Sequence, residues 1–415
     1  MSEDLPEEPR PGEPAPGRAA AGPITNAGRV LPEQLFGKYR VVRDLNQGGM
    51  AQVFLAVLDG PDGYVKTFVI KRILPEYARD PNFAQMFVNE AKVAAMMSHP
   101  NIVQVFEFSK EKGEYFLSME YVSGASLDRL VRTARKVGLS PGPRVAVEVG
   151  IAVANALHYA HTFTRPDGTP LNIVHRDISP DNILLSREGV PKLADFGVVK
   201  SDLNTQVTTA GVVKGKWAYM SPQQVASLPV DHRSDIFSLG VILYEVCTGR
   251  RLFKGETLAA TVTAVMKAEV PAPTKFVPGL SPKLERILLR CLAKEPRDRY
   301  QTAADLAADL EAFRAAQSWT AGGRHLASLV NTLFPRDGSD PGVRVPQPAS
   351  TGGGVALPTL AVEVPPAPAP LPASQVSSVQ LAPPAPATGA LSPALVAAVV
   401  AAAGLVSFLF WYLVL

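Results

Sequence analysis

The sequence predicts an α+β fold that ends in a transmembrane helix. Three observations carry this. Period-two apolar patterns crowd the stretch from Tyr39 to Val122. Helical patterns rich in Ala and Val dominate from Arg144 onward. The last stretch, Ala394 to Leu415, carries no charge.

Composition narrows the function classes. At 415 residues the chain has room for about two to three domain equivalents. Its 41 basic and 38 acidic residues leave a net charge of +3, which gives no reason to expect nucleic acid. Cys247 and Cys291 each sit in an apolar helical pattern. They read as small core residues in a reducing compartment rather than a disulfide. No metal-ligand spacing of His and Cys occurs. Residues 1–35 are rich in Pro, Glu, Gly and Ala, with no apolar run to make a signal peptide. They bury too little to offset the cost of ordering and are expected to be disordered.

Val41 to Leu45 reads as the first strand, and Val53, Leu55 and Val57 alternate as the second. Gly48 and Gly49 lie between them, where adjacent glycines allow a sharp turn and close approach to a ligand. A plain hairpin tip accounts for them equally well. Val65 to Ile73 is the third strand, with Val69 and Lys71 on one face. Phe83, Met86, Phe87, Ala94 and Met97 mark one face of a helix that also carries Glu90. A carboxylate aimed at a core needs a partner, and Lys71 is the obvious one. Phe116 to Val122 is a strand running into a linker. Arg144 to His161 is a long buried helix, and Asp235 opens another. Asp305 to Phe313 is amphipathic, and Leu326 to Leu333 suggests a further short helix.

The densest chemistry lies in His175-Arg176-Asp177-Ile178-Ser179-Pro180-Asp181-Asn182 and in Asp195-Phe196-Gly197. Between them, Ile183 to Leu185, a turn at Glu188-Gly189, and Lys192 to Ala194 read as a hairpin. It would bring Asp177, Asn182 and Asp195 together. One carboxylate can take a proton from a hydroxyl. An amide oxygen and a second carboxylate are hard ligands suited to magnesium.

The order and spacing of these two motifs resemble the catalytic loop and metal motif of eukaryotic-type protein kinases. The likeness covers about Tyr39 to Phe313 and is closest to bacterial (Hanks-type) serine/threonine kinases. It implies a bilobal fold at 36–335, with a small β-sheet lobe over about 39–122 and a larger helical lobe over 123–335. It implies transfer of the γ-phosphoryl of ATP to Ser or Thr hydroxyls of proteins, with Mg2+ and with Mn2+ as a substitute ion. By resemblance Asp177 is the catalytic base, Lys71 fixed by Glu90 holds the phosphates, and Asn182 and Asp195 bind the metal. Leu45, Gly48, Gly49, Val53, Val69, Met119, Glu120, Val122 and Leu184 would surround the nucleotide. Met119 would be the gatekeeper, with Glu120 to Val122 offering backbone groups to adenine. Asp235 would hold the backbone of the catalytic loop. Thr208 or Thr209 would be autophosphorylated opposite Arg176, with a dimer allowed for reaction in trans. Tyrosine kinases usually carry Arg before the metal-binding Asn, where this chain has Asp181; Pro180 follows the serine/threonine pattern.

The chain departs from that family pattern in five places. Asn46 and Ala51 replace glycines of the phosphate flap. Ser179 replaces a lysine in the catalytic loop, and Gln223 replaces a glutamate that pairs with an arginine, here Arg299. A Gln–Arg pair keeps the hydrogen bond and loses the charge, so the lobe is expected to be slightly weaker. The departures at Asn46, Ser179 and Gln223 are the support for a rival reading, a pseudokinase serving as a membrane-tethered scaffold. At Gly215-Lys216 the family usually places a threonine after the glycine. Lys216 is therefore expected to reach toward Asp177 in place of the cation missing at Ser179.

Residues 336–393 hold Pro, Ala, Val and Ser with little charge and read as a semi-extended linker. In 394–415, about 22 residues at helical rise cover roughly 33 Å, the depth of a bilayer core. Trp411 and Tyr412 suit an interfacial position. The expectation is a single C-terminal anchor in the cell (inner) membrane, in contact with lipid, inserted after synthesis, with the kinase lobes cytoplasmic and no extracellular sensor beyond it.

Overall fold

The computed structural model describes residues 35–47, 51–111, 113–165, 167–196 and 216–336. The expected N-terminal disorder at 1–34, Gly48 and Gly49, Gly197, Thr208 and Thr209, most of the linker and the anchor at 394–415 lie outside these residues. Among the described residues, no helix is long and apolar enough to cross a membrane.

The first lobe is an antiparallel sheet. Strands β1 (Leu35–Phe36), β2 (Tyr39–Gln47), β3 (Ala51–Asp59) and β4 (Val65–Ile73) follow one another. Helices α1 (Pro75–Ala78) and α2 (Pro81–Met96) precede β5 (Val105–Glu111) and β6 (Glu114–Glu120). The sheet order is β1-β2-β3-β4-β6-β5, so β6 inserts beside β4 and leaves β5 at the edge. Phe54, Ala56, Phe68, Ile70 and Phe116 bury one face against Phe36 and Tyr39. The period of two then turns Val53, Val69 and Lys71 to the other face. Asp80 starts α2 by accepting the backbone N–H of Asn82, with Pro81 in the first turn, where its missing N–H costs nothing.

The second lobe begins with β7 (Gly124–Ser126), α3 (Leu127–Lys136) and α4 (Gly142–His161). A hairpin follows, β8 (Ile183–Ser186) and β9 (Pro191–Leu193), and β7-β8-β9 form a second small sheet. Then come α5 (Pro222–Val225), α6 (Arg233–Thr248), α7 (Leu258–Lys267), α8 (Pro282–Cys291), α9 (Ala303–Ala316) and α10 (Arg324–Leu333). Helices α4 and α6 are buried along most of their length, and α9 packs on α4. Gly150 makes this packing close: a Cβ there would sit 2.8 Å from Leu310 Cδ1 and 2.9 Å from Leu243 Cδ1. Each fully buried Leu in such a core contributes about 1.5–3 kcal/mol. Cys247 and Cys291 are free and buried in it, and burial pushes the Cys247 thiol up to about 12.

The hairpin turn docks on the last helix. Gly189 has φ 81°, and a Cβ there would lie 2.0 Å from Gly323 O. The hairpin is thereby held from behind while its open end faces the cleft. The lobes also meet at β9, where Leu193 N–H donates to Asn101 O at 2.8 Å and Val103 N–H donates to Leu193 O at 2.9 Å.

Candidate active site

The site is assembled from both lobes. Cross-strand pairing sets the upper wall: Val53 stands opposite Lys71 on β3 and β4, and Val69 opposite Met119 on β4 and β6. Opposed residues share a face, so these four side chains point into the cleft. Leu184, half-buried on β8, belongs to the lower wall, and Leu45 at the end of β2 is 39% exposed. Met119 also lines a small cavity behind the cleft with Lys71, Glu90, Asp195 and Phe196.

Lys71 joins the lobes. Its Nζ donates to Asp195 Oδ1 at 2.7 Å, across 124 residues of sequence, and lies 3.7 Å from Glu90 Oε1. Burial alone would lower its pKa, but the charges of Asp195 and Glu90 outweigh that and raise it. Lys71 therefore stays an ammonium throughout the physiological range.

The catalytic loop is held from below. Asp235, buried at the start of α6, accepts the N–H of His175 and of Arg176 at 2.8 Å each, and stands 2.9 Å from His161 Nε2. Burial would raise its pKa; the bond to His161 and the His175 backbone N–H bring it below the ordinary carboxylate value. Arg176 has φ 64° and Asp195 φ 58°, left-handed conformations that non-glycine residues rarely adopt. Strain of this kind persists where surrounding contacts over-determine it. Here Gln224 Nε2 adds a bond to Arg176 O at 2.9 Å. His175 is fully buried, its ring 4.6 Å from that of Phe196. Its Nδ1 faces the Asp177 N–H at 3.3 Å and its Nε2 faces Ala194 O at 3.2 Å, which suits a neutral ring protonated at Nε2.

Asn182 lies on the turn after this loop. Its Nδ2 donates to Asp177 O at 2.7 Å and approaches Asp177 Oδ2 at 3.3 Å. With the nitrogen committed to Asp177, the amide presents its oxygen on the other side. That oxygen and the Asp195 carboxylate are hard donors, and this donor set fits a small divalent cation. Lys216 Nζ donates to Asp177 Oδ2 at 2.7 Å.

Sequence reasoning missed several members. Glu120 was expected to serve through its backbone. In the structure its N–H is bonded to Gln104 O at 2.8 Å, and its carboxylate accepts from Lys192 Nζ at 2.9 Å. This pair ties the strand leaving the small lobe to β9. Asp181 has an exposed side chain; desolvation by its surroundings, then the charge of Asp128, raises its pKa. Glu245 on α6 receives the Tyr219 hydroxyl at 2.9 Å. No local period points to any of these roles, since each partner is distant in sequence.

The protein kinase domain model matches residues 39–309. The chain belongs to the protein kinase family. The kinase is 42% identical over 338 residues to the tyrosine-protein kinase MasK of Myxococcus xanthus, covering 80% of this chain and 52% of that protein. It is 33% identical over 285 residues to the serine/threonine-protein kinase PrkC of Bacillus subtilis, covering 68% of this chain and 41% of that protein. The chain thus spans about half or less of these relatives. The crystal structure of the Mycobacterium tuberculosis PknI kinase domain superposes with a TM-score of 0.51 at 25% identity, over 68% of this chain and 99% of that one. Family membership implies use of ATP and a divalent metal.

Proposed function

We propose that this kinase transfers the γ-phosphoryl group of ATP to serine and threonine hydroxyls of proteins, with Mg2+ as the metal and Mn2+ as a substitute. The observation that carries the reading is the convergence of Asp177, Asn182, Asp195 and Lys71 on one cleft. The apolar faces of Val53, Val69 and Leu184 suit an adenine ring. Lys71 holds phosphate oxygens, positioned by Glu90. Asn182 Oδ1 and the Asp195 carboxylate would hold the metal, which would supply charge neutralisation at the phosphates. Asp177 orients the attacking hydroxyl and takes its proton as the new O–P bond forms. Most of the catalysis in such a site is positioning and electrostatics.

The pseudokinase alternative has less behind it, since the phosphate and metal groups are all present. A tyrosine-directed reading draws on MasK; Asp181 and Pro180 before Asn182 favour serine and threonine. Arg176 Nε is buried with no hydrogen-bond partner among the described residues, which suits a cation serving a phosphate on Thr208 or Thr209. The anchor reading of 394–415 rests on its uncharged composition, and a cytoplasmic kinase domain follows from the need for ATP.

The test is incubation of the full chain with MgATP and a mixed protein substrate, beside Asp177→Asn. Phosphoserine and phosphothreonine formed by the wild type alone support the reading. Phosphotyrosine alone, or equal labelling by the variant, rejects it. Membrane fractionation of the full chain, with and without 394–415, tests the anchor; a cytosolic full-length protein rules it out.

A further inference from the structure

Lys216 approaches Asp177 from outside the catalytic loop. It opens a short 3-10 turn, Lys216–Tyr219, whose Ala218 and Tyr219 are buried, so its backbone is anchored on the large lobe. Its Nζ lies 2.7 Å from Asp177 Oδ2, the oxygen that Asn182 Nδ2 also approaches. Ser179, two residues after Asp177, is buried, and its Oγ has no hydrogen-bond partner among the described residues. Asp177, Ser179 and Lys216 line one small cavity with Tyr219 and Ser238.

We propose that Lys216 is a catalytic cation that neutralises the transferring phosphoryl group, and that the short side chain of Ser179 leaves it the room to do so. The proposal rests on the phosphoryl-transfer reading above. In that reaction a hydroxyl oxygen bonds to the γ-phosphorus and the bond to the bridging oxygen of the leaving diphosphate breaks. The electron pair of that bond leaves with ADP, and the hydroxyl proton passes to Asp177. Charge is spread over the equatorial oxygens of the phosphoryl group in transit. The attacking oxygen must hydrogen-bond to Asp177, so the phosphorus lies one bond beyond it. An ammonium in contact with Asp177 is then within reach of an equatorial oxygen. Lysine spends one N–H donor on Asp177 and keeps others for the phosphoryl group. Lys71, held at Asp195 and Glu90, approaches from the small-lobe side, so the two cations flank the reacting group.

The location of the charge has a consequence. Lys216 lies beyond the segment 197–215, whereas Ser179 lies within the loop fixed by Asp235. The charge therefore arrives with the chain that follows 197–215. Ser179 is small, its hydroxyl has no hydrogen-bond partner among the described residues, and it lines the same small cavity as Lys216, so a cation rooted in the loop would stand there. The opposite role has the same geometry: a lysine clamped on Asp177 can block the hydroxyl. Rate measurements separate the two.

The test uses the full chain with a protein substrate, comparing wild type, Lys216→Met, Lys216→Thr and the double variant Ser179→Lys/Lys216→Thr. Lys216→Met is expected to lower kcat by about 100- to 1000-fold, the usual range for removing a preorganised charge. Its melting temperature and nucleotide affinity should stay close to wild type, which a merely structural lysine would not leave untouched together with such a loss. The double variant is expected to exceed Lys216→Thr by at least about fivefold, since the two positions then serve one charge. A kcat for Lys216→Met within about threefold of wild type, or above it, overturns the proposal while leaving the kinase reading intact. A double variant no faster than Lys216→Thr overturns the shared role of the two positions. An inactive wild type overturns the kinase reading, and this proposal with it.

Discussion

Asp235 holds Arg176 by its backbone: the carboxylate accepts the Arg176 N–H at 2.8 Å while Arg176 sits at φ 64°. The same side chain takes the His175 N–H and faces His161, so three donors converge on one buried carboxylate. Asp235→Asn puts an amide NH2 against one of these donors. Bonds to a buried charged group are each worth about 1.5–3 kcal/mol. The expected cost is about 3 kcal/mol, a fall in Tm of roughly 6–12 °C for a domain of this size. Because the loop it holds carries Asp177, kcat should fall while the KM for ATP stays nearly constant. Thermal melts and steady-state kinetics check both; an unchanged Tm refutes the assignment.

Gln223 and Arg299 offer a stabilising change. Arg299 is 1% exposed, and its Nη2 donates to Gln223 Oε1 at 3.1 Å. Burial lowers its pKa to about 10, so the guanidinium stays charged with a neutral partner. Its other bonds go to the carbonyls of Ala293, Arg233 and Lys294. Gln223→Glu supplies the missing charge and gives up a long bond, 3.4 Å, from Gln223 Nε2 to Lys294 O. The net gain should be about 0.5–1 kcal/mol, visible as a rise in Tm of about 1–4 °C. A lower Tm would mean that the carbonyl of Lys294 repels the new carboxylate more than Arg299 attracts it.

Much of this was legible before the structure, and the rest fails to be legible for a physical reason. The strand at Val65 to Ile73 has the bounds read from its period. The helix carrying Glu90 begins at Pro81, earlier than its first apolar position, because Asp80 and Pro81 form a cap that apolar spacing does not register. Strand β5 and helix α3 were not read at all. Phe106 on β5 is 48% exposed, so the edge strand shows no clean alternation, and α3 buries only Leu127, Leu130 and Ala134. The approach of Lys71 to Asp195 and of Asn182 to Asp177 was readable because motif spacing encodes it. The Glu120–Lys192 pair was not, since only the packed sheets bring those residues together.

Glu245 makes stability depend on pH. Burial on α6 pushes its carboxyl up to about 8, against an ordinary value of 4.5, with the Leu252 N–H opposing. The charge of Arg135 also opposes, while the Arg251 guanidinium, 3.2 Å away but 42% exposed, is screened by water. The folded state therefore holds a proton that the unfolded chain releases between about pH 4.5 and 8. Stability attributable to this group is present below the lower value and lost as pH rises through the upper one. Wild-type Tm should fall between pH 5 and 8, and Glu245→Gln should fall less across the same window. Parallel pH profiles for the two proteins would show that Glu245 titrates normally.

Lys71 stands between two carboxylates, nearer Asp195 at 2.7 Å than Glu90 at 3.7 Å. A divalent cation held at Asp195 would repel the ammonium, which would then lean on Glu90. Glu90→Gln removes that refuge and leaves Lys71 competing with the metal for Asp195. The expected result is twofold: a KM for ATP raised by about five- to tenfold, or roughly 1–1.4 kcal/mol of lost phosphate positioning, and a higher Mg2+ concentration at half-maximal rate. Lys71→Met provides the contrast. It removes the competitor along with the phosphate ligand, so kcat/KM falls further while the metal requirement should not rise. Rates measured across a Mg2+ titration at saturating ATP distinguish the two variants. If Glu90→Gln loses activity with its Mg2+ dependence unmoved, Glu90 acts only by packing α2 against the sheet, and the charge relay through Lys71 is wrong.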